Sequence, residues 1–400
     1  MRAWHRTIVI YFAVLGLPFI AWAARMPEVR SLLGVTTSQL GLIIIIGALG
    51  AIGALTQSGR VSARFGTRRT ITIGFILLPL GGLLQLFLAY AHQPIGYAVA
   101  GLITGVGMGF VDSSINVDGA ALEQAEGKSL LPRMHAGYSL GALAGAGLGT
   151  VAISLNIDLF WQMLVLVVIQ AGLALPLLRF IPAGTGIEAH HADASVAKPP
   201  RGRLYREPLV IMLGLGILGM TIAEGAANDW LALSVVDDFK QSASYASIAF
   251  AIFNASMTIA RFFGGKVADA WGRRRTLEVF GVAGVVGLLL VILSHNIYVA
   301  WVGSGLWGVG VSMAFPLFLS AAGEGENAAR RVAAVGSFGY AAFLIAPPAL
   351  GYLGQAWGLT QMFWILVALL LMSVCFARAA GSKPQPASIE TDADASAAEA

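Results

Sequence analysis

The chain has few charged residues and almost no cysteine. Of its 400 residues, only 12% are Asp, Glu, Lys or Arg, about half the roughly 25% that is usual for soluble proteins. Apolar residues make up 57% of the chain, and a soluble protein of this size could not keep so much apolar surface away from water. This composition excludes a soluble enzyme, a nucleic-acid-binding protein and a disordered chain, and it indicates an integral membrane protein. The single cysteine, Cys375, excludes an intrachain disulfide.

Long apolar runs fill most of the sequence. A helix crosses the hydrocarbon core with about 20 mostly apolar residues, and irregular backbone cannot face lipid, so each such run is predicted to be a helix. The first run is expected to be retained and not removed as a signal peptide. Twelve runs have the required length, at about 7–24, 38–58, 71–91, 95–118, 135–155, 159–181, 208–227, 245–264, 277–294, 297–320, 333–354 and 360–378.

The basic residues indicate the orientation. Most of the 25 Lys and Arg residues fall in segments on the same side of the membrane as the N-terminus, whereas Arg25, Arg30 and Lys240 fall on the other side. Because cytoplasmic loops carry the excess of Lys and Arg, both termini are predicted to be cytoplasmic. The net charge of +4 is therefore a topology signal and does not predict binding to nucleic acid.

The sequence divides into two halves of six runs each. Residues 1–182 and 208–379 are predicted to form six-helix bundles, and the polar segment 183–207 between them is predicted to be a cytoplasmic linker. The tail at 380–400, rich in Ala, Ser, Asp and Glu, is predicted to be a disordered cytoplasmic segment.

The loop that follows the second run is repeated after the eighth run. Residues 59–69 read GRVSARFGTRR and residues 265–275 read GKVADAWGRRR, in register 206 positions apart. Parallel six-helix repeats related by an axis along the membrane normal are the architecture of one large transporter class.

Both loops resemble the signature Gly-x-x-x-Asp-(Arg/Lys)-x-Gly-x-(Arg/Lys)-(Arg/Lys) of the major facilitator superfamily, and the resemblance covers about residues 1–380. It implies an all-α integral membrane fold of twelve transmembrane helices in two pseudo-symmetric six-helix bundles. It also implies that the loops form a latch that restrains the rocking of the bundles, unless they serve only as positive-inside anchors. The glycines are expected to permit tight turns, the acid to face a positive helix end and the cations to face carbonyl ends. The signature residues are Gly59, Arg64, Gly66, Arg68, Arg69, Gly265, Asp269, Gly272, Arg273 and Arg274; Ala63 and Ala270 depart from the pattern, and Ala63 should weaken the N-terminal latch.

The fourth run contains a stripe of small and polar residues. Gly105, Gly109, Asp112 and Asn116 recur at helical spacing, which places them on one face. The glycines allow a neighbouring helix to approach closely, and an ionisable group at this depth should face the bundle interior. Asp112 and Asn116 are therefore expected to present a carboxylate and an amide on an inward face.

The same region resembles the fucose-permease-like branch of the superfamily, including its YbjJ-type members. In that branch an acid in the fourth helix is followed by Asn and then by Glu, as in Asp112, Asn116 and Glu123. The segment 135–141 is also similar, and Glu224 followed by Asp229-Trp230 matches the seventh helix of the YbjJ-type group. Proton-linked fucose carriers have an acid within the first helix, which is missing here before Glu28, so sugar is not implied as the substrate.

We predict that Asp112, Glu224 or both carry a coupling proton, because burial disfavours a charged carboxylate. The structural alternative is a fixed ion pair with Arg261. The predicted solute-binding residues are Asn116, Asn228, Asp229, Trp22 and Tyr340. The alternatives are hydrogen bonding between helices for the polar side chains and packing or interface roles for the aromatic ones.

The most concrete functional prediction is a monomeric secondary transporter in a bacterial inner membrane, with a small polar solute and protons as its partners besides the lipid bilayer. The solute would be sugar-like or an organic acid. The first alternative is a proton-coupled drug exporter of the same fold, although residues 141–149 lack the proline of its Gly-Pro signature. A non-transporting membrane receptor is the second alternative. No cofactor, metal site or nucleic-acid partner is predicted, and no catalytic or P-loop motif predicts an enzyme.

Overall fold

Twelve helices of the computed structural model are long and apolar enough to cross a membrane. The structure describes residues 1–126, 131–187, 204–323 and 328–381, and no strand occurs in these ranges. The number of spans and the all-helical fold class are thus confirmed. Numbered in chain order, spans 1 to 12 are Arg2–Ala23, Thr37–Phe65, Thr67–Tyr90, Pro94–Leu122, Met134–Ser154, Leu159–Phe180, Pro208–Asp237, Ala243–Trp271, Arg273–Leu293, Ile297–Ala322, Ala334–Trp357 and Leu359–Ala380.

Several helices extend beyond the predicted apolar runs. The helix of span 2 continues through the first signature loop to Phe65, that of span 4 continues to Glu126, and that of span 11 begins at Ala328. The start of span 2 is fixed by a capping box, in which the Thr36 hydroxyl accepts from the Gln39 amide and the Thr36 amide donates to Gln39 Oε1. Hydropathy reports the bilayer-sized segment, whereas capping and backbone hydrogen bonding set the helix ends.

Three spans are accompanied or interrupted by irregular segments. Span 1 ends at Ala23, and a short separate helix, Met26–Leu33, has Pro27 in its first turn, where proline is tolerated. Span 7 contains a π-helical segment, Ala227–Leu231. Span 10 consists of two helices, Ile297–Val311 and Ala314–Ala322. Short 3-10 turns at Leu178–Phe180 and Ala377–Ala380 end spans 6 and 12, and a third at Leu204–Arg206 precedes span 7.

Glycines allow the helices of the first half to pack at close range. A Cβ on Gly105 would lie 2.0 Å from the Gly47 carbonyl oxygen, and a Cβ on Gly109 would lie 2.3 Å from that of Ala51. Span 4 therefore lies against span 2 at the two glycines that the sequence predicted for a close approach. The two halves contact each other through span 2 against span 11 and span 5 against span 8.

The hydrogen bonds between the halves have a common location. We call the end of the molecule that carries residue 2 and both signature loops the terminal face, and the end that carries residues 24–36 and 238–242 the opposite face. At the opposite face Arg30 forms a bidentate ion pair with Asp237, and the Thr37 amide donates to Gln355 Oε1 at 3.1 Å. The Thr150 hydroxyl, near the same face, donates to the Ser247 carbonyl at 3.2 Å. Within the described ranges, the hydrogen bonds between the halves lie towards the opposite face.

The predicted linker and tail fall largely outside the described residues. The linker at 183–207 is described only at its two ends, and the tail at 380–400 only to residue 381. The exact limits of the two bundles therefore stay predictions.

Candidate functional site

A narrow polar cleft lies between the two bundles. Its cavity volume is about 30 Å³, far below the roughly 300–1,000 Å³ of ligand pockets, so the cleft is nearly closed in this structure. The first half contributes side chains from spans 1 and 5, and the second half contributes side chains from spans 7 and 8. The lining residues are Ile20, Tyr138, Ser139, Ala142, Glu224, Asn228, Asn254, Met257, Thr258 and Arg261.

A chain of polar contacts connects Asp112 to span 5. The Asn116 side-chain amide donates to the Asp112 carbonyl at 2.8 Å and approaches Asp112 Oδ1 at 3.4 Å. His135 Nε2 lies 3.0 Å from Asn116 Oδ1. Because the amide nitrogen of Asn116 already donates to Asp112, its oxygen must accept, and His135 therefore donates from Nε2.

The second half supplies an ion pair. Arg261 Nη2 lies 2.8 Å from Glu224 Oε1, and Arg261 Nε donates to the Ser312 carbonyl at 3.0 Å. Both charged side chains are partly covered, with 29% of Arg261 and 20% of Glu224 exposed. For Glu224 the geometry therefore matches the ion-pair alternative that the sequence left open.

Span 5 lies between these two groups of polar residues. It carries His135, which contacts Asn116, and Tyr138, which lines the cleft together with Glu224 and Arg261. The contacts of Asn116 and His135 thus link Asp112 to the span that faces the Glu224–Arg261 pair. Tyr340 is 42% exposed and is not among the lining residues.

Two asparagines hold unused hydrogen-bonding capacity in this region. Asn228 Oδ1 and Asn254 Oδ1 are buried and accept no hydrogen bond from any described residue. The amide nitrogen of Asn254 donates to the Phe250 carbonyl at 3.0 Å, which orients its oxygen away from that carbonyl. Buried polar groups normally have partners, so these oxygens are candidates for a ligand.

Of the five predicted solute-binding residues, Asn228 lines the cleft, whereas Asn116, Trp22, Asp229 and Tyr340 are not among its lining residues. Trp22 stacks on Tyr97 and donates to its hydroxyl at 3.0 Å, a contact within the first half. Asp229 lies in the π-helical segment and forms no hydrogen bond or ion pair with the described residues. Their solute-binding roles stay predictions that this arrangement does not support.

The second glycine of each signature loop makes the predicted turn. Gly66 and Gly272 both have φ of +79°, with ψ of 156° and 157°, a region that only glycine adopts easily. Each ends one helix and begins the next, and its carbonyl accepts from the hydroxyl of Thr70 or Thr276. The internal repeat is therefore reproduced in backbone conformation.

The first glycines do not make a turn, which corrects that part of the prediction. Gly59 and Gly265 lie inside helices, and a Cβ on either would meet open space. The exposed Asp269 contacts no helix end among the described residues. In the same loop Arg273 donates to the Ala380 carbonyl at 3.2 Å, as expected for a cation at a carbonyl end.

The remaining signature cations have local contacts or are solvent-facing. Arg274 pairs with Glu278 at 2.8 Å, and the Arg64 guanidinium lies 5.2 Å from the Phe65 ring centroid. Arg68 is partly buried, and Arg69 is exposed. None of these contacts joins the two halves.

Sequence reasoning missed three residues of interest. Asn254 and Thr258 could have been found, because they precede Arg261 by seven and three positions and so share its helical face. Asp118 is completely buried near Thr67 and Thr185, beside the turn at Gly66 and away from the cleft. The side chain of Glu123, which the resemblance to the fucose-permease-like branch singled out, lies outside the described part of the structure.

Two six-helix bundles that enclose a polar cleft define a multi-pass membrane protein of the transporter class. The family model described as Major Facilitator Superfamily matches residues 7–324 and, in a second, overlapping match, residues 213–398. The chain belongs to the Major Facilitator Superfamily, and it is a membrane transporter.

Comparison with individual proteins supports this assignment. An uncharacterized MFS-type transporter of Yersinia pestis is 29% identical over 370 residues, which cover 92% of this chain and 93% of the relative. The fold is similar to that of a D-xylose-proton symporter, with a TM-score of 0.74 at 16% identity over 93% of this chain and 96% of that one. It is also similar to FucP in the outward conformation, with a TM-score of 0.63 at 16% identity over 95% and 99% of the two chains.

Proposed function

We propose that this protein is a secondary active transporter that moves a small polar solute, sugar-like or an organic acid, by alternating access driven by protons. The observation that carries the proposal is the position of Asp112. This carboxyl is linked through Asn116 and His135 to span 5, which contributes Tyr138 and Ser139 to the polar cleft between the bundles. Ionisable groups at membrane depth are costly and commonly mark ion or proton pathways.

The surroundings of the two carboxyl groups favour Asp112 as the proton carrier. Glu224 lies 2.8 Å from the Arg261 guanidinium, so its carboxylate already has an ionic partner in this structure. No ion pair involves Asp112 in the described part of the chain, so its carboxyl can gain or lose a proton without breaking an ion pair. If Glu224 carried the proton, its protonation would deprive Arg261 of its charged partner, and release of the proton would restore the pair.

The contacts at the opposite face support alternating access. If the termini are cytoplasmic, as we propose, the Arg30–Asp237 and Thr37–Gln355 contacts close the outer side of the molecule. The structure is then closed at its outer side, and rocking of one bundle against the other must break these contacts. We further propose that the protein acts as a monomer in a bacterial inner membrane, with bundles at 1–182 and 208–379 joined by a cytoplasmic linker. Membership in the fucose-permease-like and YbjJ-type branch is part of the same proposal.

Uptake into proteoliposomes tests this function. We expect counterflow of at least one solute in a panel of sugars and organic acids, and accumulation of that solute when a pH gradient is imposed. Asp112→Asn should abolish the accumulation and retain counterflow, because the amide keeps the shape of the site but cannot carry a proton. Accumulation that persists in Asp112→Asn assigns the proton elsewhere, and counterflow of cationic drugs alone would favour the exporter alternative. Glu278→Gln, which neutralises an acid outside the cleft, is the matched control.

A further inference from the structure

Among the residues that line the cleft, Asn254 has a completely buried side-chain amide. Its side chain is 0% exposed, and its nitrogen is committed to the Phe250 carbonyl one turn earlier in the same helix. Its oxygen has no donor among the described residues. Leaving a buried acceptor without a partner is costly, so this oxygen is a candidate to accept a hydrogen bond from a donor that the protein does not itself provide.

Asn228 presents a second acceptor to the same cleft. Its Oδ1 is buried and has no partner in the described ranges, and it belongs to the π-helical segment of span 7. Single π-helical turns occur frequently at functional sites, because they shift side chains relative to a regular helix. Two acceptors from two spans thus meet in one small cavity.

The charges of the cleft are already balanced. Arg261 is its lining cation, and it is held by Glu224 and by the Ser312 carbonyl. A solute carboxylate would have to displace Glu224 from Arg261 and leave that carboxylate without its partner, which is costly in a covered site. It would also face the acceptor oxygens of Asn228 and Asn254, which cannot donate to it.

We propose that Asn254 is a specificity-determining residue whose side-chain oxygen, together with that of Asn228, accepts hydrogen bonds from hydroxyl groups of an uncharged solute. The inference rests on the proposed transport of a small polar solute and narrows it to hydroxyl-bearing, uncharged molecules over their carboxylate analogues. Because Asn254 is covered in this structure, the solute reaches it when the halves move apart along the cleft.

Thermal-shift and titration measurements on the purified full-length protein test the proposal. The probes are D-xylose, D-glucose and myo-inositol, with D-xylonate, D-gluconate and succinate as the carboxylate series. At least one hydroxyl-bearing probe should stabilise the wild-type protein, and the matched carboxylates should not. In Asn254→Leu and Asn228→Leu, which keep a similar side-chain size, the affinity for that probe should fall by about 3- to 10-fold each, the equivalent of one lost hydrogen bond.

Ser304→Ala is the matched control. Its hydroxyl is completely buried and donates to the Ala300 carbonyl within its own helix, away from the cleft, so its loss should leave affinity unchanged. Asn254→Ala offers a smaller replacement if the Leu variant does not fold.

Unchanged affinity in the folded Asn254 variants overturns the inference, and so does equal or stronger binding of the carboxylates. Either result leaves the proposed transport function standing. Failure of every probe in both series overturns the inference and the proposed solute class together.

Discussion

Arg261 is the residue on which the charge balance of the cleft depends. Its guanidinium contacts Glu224 at 2.8 Å and the Ser312 carbonyl at 3.0 Å. A covered ion pair adds little net stability relative to apolar residues, but removal of one partner leaves the other charge uncompensated. The pair should therefore behave as a unit in mutagenesis.

We expect Glu224→Gln to lower the free energy of unfolding by about 1–3 kcal/mol, because it strands the Arg261 charge. The double variant Glu224→Gln/Arg261→Gln should lose less than the sum of the two single variants, since neither charge is then left alone. Thermal denaturation in detergent measures both effects.

The Arg274–Glu278 pair provides the control for this prediction. Its side chains are 52% and 31% exposed, and such surface pairs contribute at most about 1 kcal/mol. Glu278→Gln should therefore cost little. Strict additivity of the two cleft substitutions would show that Glu224 and Arg261 do not act as a unit.

At the scale of the helices, the two signature turns share one backbone conformation and differ in their surroundings. A Cβ on Gly66 would lie 2.7 Å from the Ala183 carbonyl oxygen, whereas one on Gly272 would meet open space. Both positions have a positive φ that L side chains rarely adopt. The first turn therefore combines backbone strain with a close approach to the segment that follows span 6, and the second involves backbone strain alone.

We expect Gly272→Ala to cost about 1–3 kcal/mol of unfolding free energy through strain, and Gly66→Ala to cost more because of the added clash. Gly59→Ala, inside a helix and beside open space, should be neutral or stabilising by up to about 1 kcal/mol. Melting temperatures of the three purified variants give the order. Equal losses for Gly66→Ala and Gly59→Ala would contradict the assignment of the turn to Gly66.

Helix patterning also shows how much of the site was predictable. Asp112 and Asn116 lie four positions apart, which places them on one face of a helix whatever its neighbours are. Asn254, Thr258 and Arg261 carry the same kind of signal in span 8. Trp22 gave no comparable signal, because an aromatic residue in a membrane helix can stack on any neighbour, and here that neighbour is Tyr97.

At the scale of the whole molecule, the Arg30–Asp237 pair joins residues that lie 207 positions apart in different halves. Arg30 also donates to the Thr37 hydroxyl at 3.1 Å, and the Thr37 amide contacts Gln355 of the second half. These contacts hold the opposite face together. Opening at that face requires their loss, so the pair should bias the equilibrium between the two states of the transport cycle.

We expect Arg30→Gln and Asp237→Asn each to increase the population that is open at the opposite face. Loss of about 1.4 kcal/mol from the closed state would change the equilibrium roughly tenfold. Spin labels at Gln93→Cys and His295→Cys in a Cys375→Ser background would report the change as a longer-distance population in pulsed electron resonance.

Arg179→Gln is the control for the gate, because Arg179 lies outside both signature loops and its guanidinium contacts the adjacent Phe180 ring. It should leave the distance distribution unchanged. A distribution that is also insensitive to both gate substitutions would show that Arg30 and Asp237 do not control opening.

The sequence by itself determined the membrane class, the twelve spans and the repeat, because apolar length, helical spacing and turn glycines are properties of consecutive residues. The tertiary structure alone decided which polar groups meet. It paired Glu224 with Arg261, placed Asn254 beside Asn228, and joined Arg30 to Asp237. These outcomes depend on how each helix is rotated against neighbours that are distant in the chain, and close packing between the helices determines that rotation.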